Sequence, residues 1–207
     1  MSTSSKRDRL IDSASQLFHR FGVSNTSLAD IAKHADIPIG NVYYYFKTKE
    51  ELAVAALARR EQEWRELHRK LAATVEDPRQ RIVQAVHHFD NVREEYALYG
   101  CPFGKVIADS APEKDAVARA AAHVFAQSLD WMETQFELLG HQASARRYAL
   151  FVFTSLQGAA VMAKAFAAPH IISDEINRLV EWVGSLPNRK IFLGKAAPAA
   201  ALAQAES

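Results

Sequence analysis

The chain of 207 residues has one cysteine, Cys101, so it can form no internal disulfide, which favours a reducing, cytoplasmic setting. It also lacks an excess of either charge. With 25 Lys/Arg against 24 Asp/Glu the net charge is +1, and whole-chain charge implies no polyanion partner. No apolar run approaches the roughly 20 residues of a membrane helix. Charges and serines interrupt the N-terminal stretch MSTSSKRDRLIDSASQLF, unlike a signal peptide. The sequence shows no internal repeat, paired catalytic carboxylates, nucleophile with base, or phosphate-binding loop. His87 and His88 are adjacent and point about 100° apart on a helix, so they make a poor metal pair. These absences argue against an enzyme, a bound cofactor and a metal site.

What remains is ordinary for a soluble globular protein: 49% apolar and 24% charged residues, enough chain for one or two domains with a sizeable core. The charges are unevenly placed. Residues 1–49 carry +3 and residues 50–207 carry −2, which puts the positive end at the N-terminus.

Almost every segment reads at the helical period. Leu10, Ala14, Leu17, Phe18 and Phe21 share one face of a first helix, closed by Gly22. Ser27 with Asp30 forms a capping box for a short second helix, and Thr48 with Glu51 another for a long helix over 49–73. Asp77-Pro78 opens a helix predicted to run to about 99, with further helices at 105–110, 112–139, 142–167 and 173–186. Only IFLG near the end looks like a strand, and one strand makes no sheet. The expected fold is all-α with about nine helices.

The stretch IPIGNVYYYF (37–46) is β-branched and aromatic, which alone suggests a strand. On a helix, Ile39, Val42 and Phe46 form an apolar face, while Asn41, Tyr44 and Tyr45 share the opposite face with Tyr43 at its edge. Three consecutive tyrosines cannot all face one core. A short helix behind a tight turn, presenting Asn and Tyr outward, fits the major groove, where Asn reads adenine and tyrosine meets phosphates or thymine methyls. Gly40 permits close approach to the duplex backbone, and Lys49 stands at the next helix start, where N–H groups and ammonium can converge on a phosphate.

With these residues, SLADIAKHADIPIGNVYYYFKTKEEL, together with QLFHRFGVSNTS before it, resembles the DNA-binding domain of the TetR/AcrR family of transcriptional regulators over about 8–55. The resemblance implies an N-terminal three-helix helix-turn-helix domain (1–48) and a C-terminal helical ligand-binding and dimerisation domain (49–194), with 195–207 as a tail. It further implies a homodimeric repressor on a double-stranded, palindromic DNA operator, released by a small ligand. By that resemblance Ser27, Ile39, Asn41, Tyr43, Tyr44, Tyr45 and Lys49 meet DNA. Asp36 replaces the usual turn glycine, and Pro38 the usual polar cap.

Aromatic residues in the C-terminal half suit a small apolar or aromatic ligand. The expected lining is Trp64, His68, Phe89, Tyr99, Phe103, Trp131, Phe153 and Gln157. Cys101, beside a helix start that lowers thiol pKa, and Lys164, in an otherwise apolar helix, form a candidate pair responsive to oxidants or electrophiles. Dimerisation is assigned to 142–167 and 173–186, through residues such as Phe151, Val152, Leu156, Ala159, Ile176 and Leu179. The rival reading is a helical adaptor whose N-terminal unit binds protein instead of DNA.

Overall fold

Helix caps fix most boundaries in the computed structural model, which describes residues 5–109 and 115–187. The first helix, α1 (Lys6–Phe21), starts at Ser5, whose hydroxyl accepts from the Asp8 N–H, and stops at Gly22 with φ 87°. Next come α2 (Leu28–His34), α3 (Ile39–Tyr45) and the long α4 (Lys49–Thr74). Leu10, Ala14, Ile31, Val42 and Leu52 are essentially inaccessible to solvent and make the small core of this head. The arrangement follows from the 3.6-residue spacing of those apolar side chains.

The second half is built from α5 (Pro78–His87), α6 (Arg93–Tyr99), α7 (Pro102–Asp109), α8 (Ala116–Leu138), α9 (Ala145–Phe166) and α10 (His170–Ser185). The single helix expected over 77–99 is interrupted by a 3-10 turn, His88–Val92, and the described residues hold ten α-helices, in line with the nine or so expected. Among the described residues there is no strand, and the fold is all-α. IFLG and the tail over 195–207 lie outside those residues.

The core of this half centres on α8 and α9, with Phe136, Ala149, Val152 and Ala163 fully enclosed. One expectation is overturned here. The stretch from Gln142 to Phe166 is long and apolar enough to cross a membrane, yet a third of its 18-residue window is buried inside the protein. A helix that packs on α6, α8 and α10 must be apolar on several sides, which gives it that composition.

Several expected dimer residues are also corrected. Val152, Leu156, Ala159, Ile176 and Leu179 are consumed by the protomer's own core. The exposed stripe of α9 is Leu150, Phe151, Val161, Met162 and Phe166, 44–66% accessible. It lies about a third of a turn from the predicted face.

Candidate DNA-binding and ligand sites

The turn before α3 is made by chemistry that the sequence half concealed. Asp36 adopts φ 53°, the left-handed region usually given to glycine. Arg9 on α1 reaches across and donates to the carbonyls of Ala35 and Asp36, the latter at 3.0 Å, tying the turn to the first helix. Pro38 precedes α3 without any side-chain cap, its fixed φ of −54° starting the helix instead.

On α3 the polar face is turned relative to expectation. Tyr43 and Tyr44 are 49% and 79% exposed, whereas Tyr45 packs partly against the core and meets Tyr44 edge to face at 4.9 Å. Ile39 does not pack on the first two helices; it is 43% exposed beside the open backbone of Gly40. Asn41 is half-buried. The outward surface of α3 therefore reads Ile39, Gly40, Tyr43 and Tyr44, with Asn41 at its margin.

The flanks add charge and caps. Ser27 and Asp30 form the expected reciprocal box, with the Ser27 hydroxyl 2.6 Å from the Asp30 carboxylate, and that bond holds the carboxyl below its ordinary pKa. The second box is different. Thr48 accepts from the Glu51 N–H, but the Glu51 carboxylate accepts from Lys47 N–H at 2.8 Å, one residue earlier than a box requires. Lys49 donates to the Ser24 carbonyl at 3.3 Å. Lys47, which sequence reading left out, donates to the Tyr43 carbonyl at 2.7 Å and is exposed beside the tyrosines. Its signal was its place in the Lys-x-Lys-Glu run.

In the core, the expected pocket residues divide into two groups that share Trp64. Trp64, Phe89, Phe103, Phe153 and Gln157 converge on Cys101, but the space among them is about 10 Å³, less than one water. His68 and Trp131 lie in a groove of about 420 Å³ between α4 and α8. There they stack in parallel at 4.0 Å, and burial drives the His68 pKa down to about 4. Tyr99 joins neither group; it packs on His19 at 5.6 Å and under Arg20.

Cys101 also differs from expectation. Its thiol is buried, and desolvation pushes its pKa up, although N–H groups of Gly104 and Phe103 pull the other way. The helix start is there, but exclusion of water outweighs it. Lys164 is exposed and lays its stem along the Gly100 backbone, 3.2 Å from where a Cβ on that residue would stand.

A third space, of about 290 Å³, lies at the seam between head and core, and sequence reading missed its key residue. His19 on α1 is 2% exposed; Nδ1 lies 3.0 Å from a Glu95 carboxylate oxygen and Nε2 2.6 Å from the Gly100 carbonyl. Both partners are about 80 residues away, so no local pattern could have marked it.

A short exposed helix behind a braced turn, mounted on a helical body with an open apolar stripe, defines a helix-turn-helix protein of two functional halves. The chain belongs to the tetR family of bacterial regulatory proteins, matching that family over residues 10–56. Residues 78–170 match the C-terminal domain of LmrA/YxaF-like transcriptional regulators. The HTH-type transcriptional repressor DhaR of Mycobacterium sp. (strain GP1) is 27% identical over 124 residues, 58% of this chain and 60% of that protein. The HTH-type transcriptional regulator QacR of Staphylococcus aureus is 36% identical over 64 residues, 31% of this chain and 34% of that one. The chain thus matches less than two thirds of these relatives' lengths. Among solved structures, a TetR regulator from Legionella pneumophila superposes with TM-score 0.76 at 17% identity, over 88% of this chain and 99% of that one. The reduced form of Escherichia coli NemR gives 0.71 at 19%, over 84% and 94%. These likenesses establish the fold, and the sequence matches place the chain in the tetR family.

Proposed function

We propose that this protein is a cytoplasmic homodimeric repressor that holds a palindromic operator through α3 and releases it when a small aromatic or apolar ligand binds the core. The observation that carries the reading is the exposed face of α3. A large, well-solvated tyrosine surface next to two lysines has no packing role, and it matches the width and chemistry of the major groove. Asn41 at the margin supplies base discrimination, and Ser27, Tyr43 and Lys49 supply phosphate contacts. Ser27 and Lys49 hold charge-assisted internal partners without DNA, the Asp30 carboxylate and the Ser24 carbonyl, so each exchanges one such bond for another to phosphate.

A single head offers too little contact to select a site, and two recognition helices must reach grooves about 34 Å apart. The open stripe on α9 supplies the pairing surface. Gly158, with nothing within 4 Å of its missing side chain, sits in the middle of it and permits a close helix crossing. The burial of Cys101 favours a bound ligand over thiol chemistry as the signal.

The test is selection of bound sequences from random duplexes, followed by affinity against salt. A palindromic consensus with affinity falling steeply in salt is expected, because bound phosphates release counterions. Asn41→Ala should lose discrimination by about 1–3 kcal/mol while keeping most non-specific binding. Phe151→Asp with Val161→Asp should yield folded monomers that bind half-sites weakly, as sedimentation would reveal. No salt-dependent duplex binding would favour the adaptor reading.

A further inference from the structure

The seam cavity adjoins the collapsed space around Cys101, sharing Trp64, Tyr96 and Phe103 with it, and it touches the head directly. Its walls come from both halves: His19 from α1, Glu63 and Trp64 from α4, Glu95 and Tyr96 from α6, and Phe103 from α7. At about 290 Å³ it has room for about ten waters, hence for one fused aromatic ring system with a short side arm.

The balance of charge on this wall selects the arm. Two carboxylates, Glu63 and Glu95, border the space. Arg60, its permanent cation among the described residues, is already engaged, with Nε on the Ser15 hydroxyl at 3.2 Å and a terminal nitrogen 3.4 Å from Glu63. His88 is held below its ordinary pKa by burial, and so stays neutral. Trp64, Tyr96 and Phe103 present aromatic rings, which attract cations as well as stack.

His19 faces an acceptor on each ring nitrogen. A neutral imidazole donates from one nitrogen only, so a proton must sit between Nδ1 and Glu95 while Nε2–H serves the Gly100 carbonyl. The proton between them makes a hydrogen-bonded pair of the enclosed ring and the half-exposed carboxylate. It joins the last turn of α1 to α6, with the Tyr96 and Tyr99 rings at 6.0 and 5.6 Å closing its sides. The neighbouring charges are Arg20 on α1, over Tyr99, and from other elements Lys105 against Gly22 and Lys164 against Gly100.

From this geometry we propose that the seam is an effector site for a small aromatic amine, whose ammonium takes Glu95 from His19 and so unties the head from α6. The idea rests on the regulator reading above and specifies where its signal enters. When the amine pairs with Glu95, the hydrogen bond between His19 Nδ1 and Glu95 breaks and the Nε2–H bond to Gly100 is kept. One of two bonds holding the end of α1 to α6 is lost, and the head gains freedom relative to the core.

One aromatic scaffold carrying three charges tests it: tryptamine, tryptophol and indole-3-acetate, titrated calorimetrically into the full-length protein. Tryptamine should bind at least about tenfold more tightly than the other two, as 1.4 kcal/mol of charge recognition would give. Glu95→Gln should erase that preference, and His19→Gln should keep or strengthen it by removing the competitor. Amide exchange in the last turn of α1 should rise with tryptamine in the parent protein and already be high in His19→Gln. Absence of binding by all three, equal binding, or a preference that survives in Glu95→Gln overturns the proposal. Operator binding by the ligand-free protein is measured separately, so its absence would sink the repressor reading while the charge series still decides the site.

Discussion

The head and the core are both helical, yet they hold their functional residues by different means. In the head, the bonds flanking α3 are mostly local, Ser27 to Asp30, Lys47 to the Tyr43 carbonyl and Thr48 to the Glu51 N–H, with Arg9 and Lys49 reaching across from 25–27 residues away. In the core, the collapsed space around Cys101 and the seam site are each walled by three or more elements distant in sequence, and the seam site draws on five. Local bonds make a rigid reading surface, and long-range walls make a space that can change volume. A regulator requires both properties in one chain.

The strongest way to break this comparison is to ask whether the halves melt together. Phe136→Ala empties the best-enclosed aromatic site of the core and should cost about 3–5 kcal/mol. Val42→Ala, equally enclosed in the head, removes less surface and should cost about 2 kcal/mol. If the head is a separate cooperative unit, Val42→Ala will raise amide exchange in α1–α3 and leave α8 protected. Equal loss of protection in α8 would show one unit, and the contrast drawn above would fail.

The same contrast explains what was legible in the sequence. Caps, turn residues and 3.6-residue spacing act over a few positions, so the head's helices and its tyrosine face could be read directly. The errors there were rotational. Ile39 and Tyr45 exchanged places because a seven-residue helix leaves its facing angle to its neighbours. In the core, aromatic residues were correctly placed in helices but incorrectly grouped. Tyr99 left the pocket and His19 entered a site, since which helix packs where depends on contacts 80 residues apart. The exposed face of α9 was misread for a related reason. A helix apolar on several sides has no single period from which to choose its outer stripe.

A smaller effect sharpens the core side of the comparison. His68 stacks on Trp131 in a setting that lowers its pKa from 6.5 to about 4, by desolvation first and by His88 second. Its folded form favours the neutral ring, so its contribution is complete above pH 6.5. That contribution declines as pH falls from 6.5 toward 4, where the unfolded chain takes up a proton and the folded one does not. The loss should be about 3 kcal/mol by pH 4. Denaturant melts of the parent and His68→Phe across that window would check it. A parallel decline in both proteins would mean that other groups carry the acid sensitivity.

In the head the expected effects are smaller and confined. Ser27→Ala removes the hydroxyl from both sides of its box and should cost about 1 kcal/mol, seen as fraying of α2 without change in the core.

The smallest effect concerns Asp36, and its expected sign is stabilising. Holding an L-residue at φ 53° costs about 1–2 kcal/mol relative to glycine. Glycine returns about 0.5–1 kcal/mol of that by widening the unfolded ensemble. The Arg9 guanidinium bonds to backbone carbonyls at this turn, so the brace survives the substitution. The one side-chain contact given up is an ion pair at 3.9 Å from a fully exposed aspartate, too solvated to count. Asp36→Gly should therefore raise head stability by less than about 1 kcal/mol and leave α3 aimed as before. A destabilised turn would mean that the aspartate side chain, and not the backbone bond from Arg9, sets the angle between α2 and α3.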